Sequence, residues 1–243
     1  MLTSGEQWLF KVVRAGRTQE LARLLDRGMN PSARDDSREA PLHVAVRDGQ
    51  IKCTRLLLDR GVDPSVRNWH DDTPLHLAAW GGQVECLRLL LDQGADLSAR
   101  SNTGATPLHI AAWRGQVECL RLLLDQGADL SARNDTGDTS LHFAARDGHI
   151  ECVRLLLSGG ANLDLRDWNG ETPLHVAAWG GRPECMRVLL SHGANLELRN
   201  SENLTARESA LKRGHADCVD LLDAYASRQT LDELWNECVG AKP

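Results

Sequence analysis

The sequence lacks the features that would commit it to a membrane, to nucleic acid or to catalysis. No apolar run approaches the roughly 20 residues that a membrane helix needs. Residues 1–16, MLTSGEQWLFKVVRAG, lack the charged head, long apolar core and small-residue cleavage site of a secretion signal. Basic residues are not in excess: 28 Lys and Arg face 34 Asp and Glu, for a net charge of -6. Non-specific nucleic-acid binding depends on such an excess, so it is not expected. A Gly-rich phosphate loop, a nucleophile elbow, a Cys-x-x-Cys pair and an isolated carboxylate dyad are all missing, which leaves an enzyme reading without a residue to stand on. The expectation is a soluble, non-catalytic, intracellular chain, cytoplasmic or nuclear, with no cofactor and no metal. Its 243 residues allow one large domain or two ordinary ones.

What the sequence has is repetition. The stretch TPLHLAAWGGQVECLRLLLDQGADLSAR at 73–100 returns at 106–133 with only Leu77 and Gly81 changed, to Ile110 and Arg114. The same frame gives APLHVAV from Ala40, TSLHFAA from Thr139 and TPLHVAA from Thr172, with weaker copies around Trp8 and Ala206. The period is 33 residues without insertion. Within one copy, Thr73 is a natural helix N-cap, and Pro74 suits the first helical position. Gly81 and Gly82 close that short helix. A second helix begins near Val84, with Val84, Leu87, Leu90 and Leu91 as its apolar face, and Gly94 stops it. One such unit cannot bury both faces, so neighbours must stack to make a core.

A 33-residue period carrying T-P-L-H-x-A resembles the ankyrin-repeat family over nearly the whole chain. The resemblance implies an all-α ankyrin-repeat solenoid of about seven helix-turn-helix units joined by β-turn fingers, with a concave face where partners commonly bind. The expected boundaries are a capping repeat at 1–34, internal repeats at 35–67, 68–100, 101–133, 134–166 and 167–199, a capping repeat at 200–228 and a helical tail at 229–243. In the tail, Thr230 and Glu233 have capping-box spacing, and Leu231, Leu234, Trp235 and Cys238 share one face. It reads as a short capping helix over the open end of the stack or as a second docking motif.

Several columns read as scaffold. Cys53, Cys86, Cys119, Cys152, Cys185 and Cys218 are 33 apart, too far in a helix stack for the ~7 Å a disulfide allows, and fit as small buried hydrophobes. His43, His76, His109, His142 and His175 stand too far apart to share a metal ion. The resemblance implies that their rings bond turn backbone. His70, His149, His192 and His215 fall in turns and loops with no shared frame. Arg34, Arg67, Arg100, Arg133, Arg166 and Arg199 end each unit and read as structural, or as the rim of a binding face. Glu and Arg three apart, as in Glu118 and Arg121, suit a solvated helix face.

Function is sought where the copies differ. The residue after the two alanines reads Arg47, Trp80, Trp113, Arg146, Trp179, Lys212. The residue four before the motif threonine reads Asp36, Trp69, Asn102, Asp135, Trp168, Ser201. Five of the seven tryptophans fall on these two columns, which accept Arg, Lys and Asp elsewhere and so are not core. Trp and Arg dominate interface energetics. By the resemblance both columns face the groove. The candidate partner-binding residues are therefore Trp69, Trp80, Trp113, Trp168 and Trp179, with Arg47, Arg114, Arg146, Asp72, Asp138 and Glu171 as a polar rim. Three readings follow: a monomeric module gripping a protein or peptide; an adaptor, such as a ubiquitin-ligase substrate adaptor, whose tail recruits a second partner; and a reader of a lysine-rich or methyl-lysine tail, since indoles beside carboxylates attract cations.

Overall fold

The structure, a computed structural model, describes the backbone of residues 3–240 and the side chains of residues 3–228. Two compact units make up the chain, Met1–Asp135 and Thr136–Pro243. Among the described residues all regular structure is helical.

The first unit holds four helix pairs: α1 (Ser4–Arg14) with α2 (Thr18–Asp26), α3 (Pro41–Arg47) with α4 (Ile51–Asp59), α5 (Pro74–Gly81) with α6 (Val84–Asp92), and α7 (Pro107–Trp113) with α8 (Val117–Asp125). First helices pack on first helices, α1 on α3 on α5 on α7, and second on second, α2 on α4 on α6 on α8. Helices of seven to nine residues are marginal alone; the layer between them holds them. Leu42, Leu57, Leu75, Leu87, Leu90 and Leu108 are fully buried there, each contributing about 1.5–3 kcal/mol. Ala78, Ala79, Ala111 and Ala112 let the first helices approach closely. Val84 and Leu91, expected in the apolar face of α6, are only half-buried, and Cys86 completes that face instead.

The second unit repeats the plan with α9 (Ser140–Asp147), α10 (Ile150–Ser158), α11 (Pro173–Trp179), α12 (Pro183–Ser191), α13 (Ala206–Arg213) and α14 (Ala216–Gly240). The tail expected as a separate helix from 229 continues α14 without a break, making it 25 residues long. The proposed face of Leu231, Leu234, Trp235 and Cys238 lies outside the described side chains.

Local chemistry sets the joints. Thr73 is extended (φ -89°, ψ 165°) before Pro74, and Gly82 ends α5 at φ 67°, where a Cβ would be strained. The histidines at N3 of the first helices act as expected, bonding backbone. His76 Nδ1 accepts the Thr73 N–H at 3.2 Å, and Nε2 lies 3.0 Å from the Ala105 carbonyl in the next repeat. His43 reaches Asp72 in the same way, and in the second unit His142 reaches Glu171 and His175 reaches Leu204. An accepting Nδ1 and a donating Nε2 fix the neutral tautomer, and burial pushes His43 and His76 down to about 4.

The arginine column proves structural. Arg34 Nη1 donates to the carbonyls of Arg38 (2.9 Å) and Arg67 (2.7 Å), and Arg67 repeats this with Asp71 (3.0 Å) and Arg100 (2.6 Å). Each guanidinium thus ties its own finger to the next. His149 and His215 do share a frame, that of Gln50, Gln83, Gln116 and Arg182. Side chains on this column bond the carbonyl closing the preceding first helix: Gln50 that of Arg14, Gln116 that of Trp80, Arg182 that of Arg146 and His215 that of Trp179. Mixed residue types hide the column in the sequence, because any side chain with an N–H of suitable reach does the same work.

The cysteine column is buried in the second helices. Desolvation pushes the Cys119 thiol up to about 12 and those of Cys152 and Cys185 to about 11, so they are packing groups rather than nucleophiles.

Candidate functional site

In the first unit the fingers position the tryptophans. Asn68 Oδ1 accepts the N–H groups of His70 (2.9 Å) and Asp72 (3.0 Å), closing the finger tip as an Asx turn. The Trp69 N–H donates to the Ser37 carbonyl of the preceding finger at 3.2 Å, which holds its backbone and leaves the indole outside. Trp80 and Trp113 stand at the C-terminal ends of α5 and α7. Trp69 is 65% exposed, Trp80 42% and Trp113 38%, so none is core.

Trp80 and Trp113 touch. Their ring centroids lie 5.1 Å apart at an interplanar angle of 79°, the edge-to-face arrangement that the ring quadrupoles favour. The Arg114 guanidinium lies over the Trp80 ring, 4.3 Å from its centroid. A cleft of about 380 Å³ opens beside the pair, between the fingers and the first helices. Trp80, Trp113, Leu77 and Ile110 form its apolar wall, while His70, Asp72, Asn102 and Thr103 supply finger polar groups. Arg47 borders the same cleft but is engaged by Glu39 at 2.6 Å and Asp48 at 3.6 Å. The Asp72 carboxyl is half-buried, and desolvation raises it above the usual carboxylate range.

The structure therefore brings Trp80, Trp113, Arg114, Arg47 and Asp72 together, while Trp69 stands at the finger tip and is not among the lining residues. Leu77 and Ile110 were not among the expected site residues. A signal for them was present all the same: the positions at which the near-identical copies differ, 77 against 110 and 81 against 114, all border this cleft or stack on its indole.

The second unit has its own aromatic surface. Trp179 is 43% exposed and lies under the Arg213 guanidinium at 4.1 Å, beside a cleft of about 360 Å³ that Glu171, Asn200, Glu202, Lys212 and Arg213 also line. Burial and the nearby Asp167 charge raise Glu171. Trp168, 65% exposed, packs back over Gly137, where an added Cβ would sit 2.7 Å from indole Cδ2. Part of the Trp168 ring thus serves the fingers. Arg146 lies over Phe143 at 4.6 Å and within 4.0 Å of Asp138, which is buried and accepts the Thr136 hydroxyl at 2.6 Å. Both residues are engaged within the unit.

For a methyl-lysine reader the geometry is poor. An aromatic cage needs free ring faces converging on one point, whereas Trp80 and Trp179 each already carry one of the protein's own guanidinium groups. Among the described residues there is no cluster of three or more His, Cys, Asp or Glu that could hold a metal ion, and no helix long and apolar enough to cross a membrane.

The comparisons with known proteins agree with the helix stacks. The family model described as ankyrin repeats (3 copies) matches residues 67–134 and 131–200, and the model for ankyrin repeats (many copies) matches 42–91. No match was found among curated proteins. The solved ankyrin repeat domain of human ASB11 is 30% identical with a TM-score of 0.80, over 89% of this chain and 96% of that one. The ankyrin repeat domain of Bcl-3, described as a unique member of the IkappaB protein family, is 32% identical with a TM-score of 0.76, over 88% of this chain and 97% of that one. Such repeats are generally non-catalytic protein-interaction scaffolds. With its repeat motif, its stacked helix pairs and these matches, the chain belongs to the ankyrin-repeat family, and its fold is the all-α ankyrin solenoid.

Proposed function

We propose that the chain is a non-catalytic interaction module that docks a protein or peptide partner in the first-unit cleft between fingers and first helices. The observation carrying this reading is the Trp80–Trp113 pair, two half-exposed indoles in contact, at positions where sister repeats have Arg. The scaffold does not need tryptophan there, and exposed paired indoles are costly to leave in water. Large rigid aromatics beside a cleft supply contact area at low entropic cost. The buried thiol column suits a reducing, intracellular setting. Affinity capture with wild-type protein and with Trp80→Ala/Trp113→Ala tests the reading. A partner retained by the double variant defeats it.

A second reading, the adaptor, draws on α14. Its 25 residues compare with nine in α12 and in α10, so its C-terminal part extends past the length that a repeat requires. Removing residues 229–243 separates the two. Loss of one co-purifying protein with the cleft partner kept supports the adaptor; retention of every partner counts against it.

A further inference from the structure

In two repeats the protein supplies its own cation to the finger carboxylate. The residue before the first motif position, Ala40 or Thr139, is an acid, and the residue eight further on is arginine: Glu39 with Arg47 at 2.6 Å in the first unit, and Asp138 with Arg146 at 4.0 Å in the second. The repeat at 68–100 keeps the acid, Asp72, but has Trp80 in place of the arginine. Among the described residues no arginine or lysine pairs with the Asp72 carboxylate; the His70 imidazole of the same finger favours its charged form, but less than burial opposes it. Arg47, in the same cleft, is occupied by Glu39 and Asp48, and Arg114 by the Trp80 face. Asp72 is consequently a half-buried carboxylate at the wall of an aromatic cleft, and Trp80 stands at the register position where sister repeats have the guanidinium that pairs with this acid.

We propose that the partner supplies this missing cation: an arginine or lysine of the docked segment pairs with Asp72, and a neighbouring apolar side chain of that segment packs on Trp80, Trp113, Leu77 and Ile110. This deepens the docking reading and rests on it. Charge complementarity selects the occupant, because a half-desolvated carboxylate gains from a partner cation and loses from a partner carboxylate. The indoles cover the aliphatic stem that a long basic side chain lays along an apolar wall. Burial, offset in part by the charge of His70, raises the Asp72 carboxyl, so a cation brought to it by a partner would stabilise its charged form.

The test uses the whole chain and a displayed library of random peptides, panned in parallel on wild type, Asp72→Asn, Trp80→Arg and Trp80→Ala/Trp113→Ala. Asp72→Asn keeps shape and the backbone bonds of the finger, and circular dichroism confirms its fold. The expected result is that wild type selects peptides pairing a basic residue with an apolar one, that these bind Asp72→Asn about tenfold or more weakly, and that added salt weakens them. Trp80→Arg, which provides the cation internally as Arg47 does for Glu39, is expected to select no basic preference. Peptides that need Trp80 and Trp113 but bind Asp72→Asn equally well overturn the cation proposal and leave the docking reading standing. Selected peptides indifferent to the tryptophans, or no selected peptides at all, overturn both. A wild-type dimer in light scattering that Asp72→Asn or the double tryptophan variant dissolves identifies a second copy as the occupant, which also overturns the proposal.

Discussion

His76 Nε2 lies 3.0 Å from the carbonyl of Ala105, 29 residues ahead, while its Nδ1 receives the Thr73 N–H at 3.2 Å. One neutral ring thereby caps its own helix and holds the next finger, and a proton on Nδ1 would destroy the first bond. The folded pKa of His76, like that of His43, is about 4 against an ordinary value of 6.5. A depressed histidine binds fewer protons folded than unfolded between those values. Its contribution is therefore complete above about 6.5 and is lost as pH falls through about 4. Unfolding free energies from urea titrations between pH 7.5 and 4 are expected to drop by up to ~1.4 kcal/mol per pH unit for each such ring in that window. A flat profile above pH 4.5 would contradict the assignment.

The tryptophan pair is expected to matter far more for binding than for folding. Removing the edge-to-face contact with Trp80→Ala/Trp113→Ala should cost about 0.5–1.5 kcal/mol of stability, because neither ring is core. Partner capture should vanish. Urea unfolding beside the capture assay reads both; a collapse of stability would assign the rings to the scaffold.

Ser140 offers a stabilising change. It occupies the first position of α9, where α11 has Pro173, and its buried hydroxyl has no hydrogen-bond partner. Thr139 before it is extended (φ -97°, ψ 170°), a conformation that accepts a following proline. Ser140→Pro should raise stability by about 0.4–1 kcal/mol through the unfolded chain, and further by removing the orphan hydroxyl. A lower melting temperature would show that the backbone does not accept the ring.

Arg67 brackets two carbonyls, those of Asp71 and Arg100. Arg67→Ala should cost about 1.5–2 kcal/mol, the lower part of the range for charged hydrogen bonds because the group is partly solvated. Arg67→Lys should restore only part, since a single ammonium does not reproduce the guanidinium fork. Equal stability of all three proteins in denaturant titration would remove the arginine column from the scaffold.

The six buried thiols are expected to resist alkylation in the folded protein and to react once denaturant is added, since burial displaces their ionisation upward. Mass spectrometry after a short iodoacetamide pulse reads this at each site. Rapid labelling of Cys119 or Cys185 under native conditions would place them at the surface.

Much of this was legible in the residues alone. Thr-Pro starts, Gly stops and leucines three to four apart are local signals, and their 33-residue recurrence fixes which helix packs on which. The tryptophans stood out because they interrupt columns that otherwise carry charged or polar residues. Other facts were decided between repeats, where one side chain's partner depends on what its neighbours leave free. Tertiary structure alone showed that Trp80 and Trp113 meet at 5.1 Å, that Arg114 takes the Trp80 face, that His215 and Gln116 perform one task, and that Arg47 closes on Glu39 at 2.6 Å. Period and pattern determine the stack because burial is a sum over equivalent positions; the site is a matter of particular pairs, and pairing is settled only by distance.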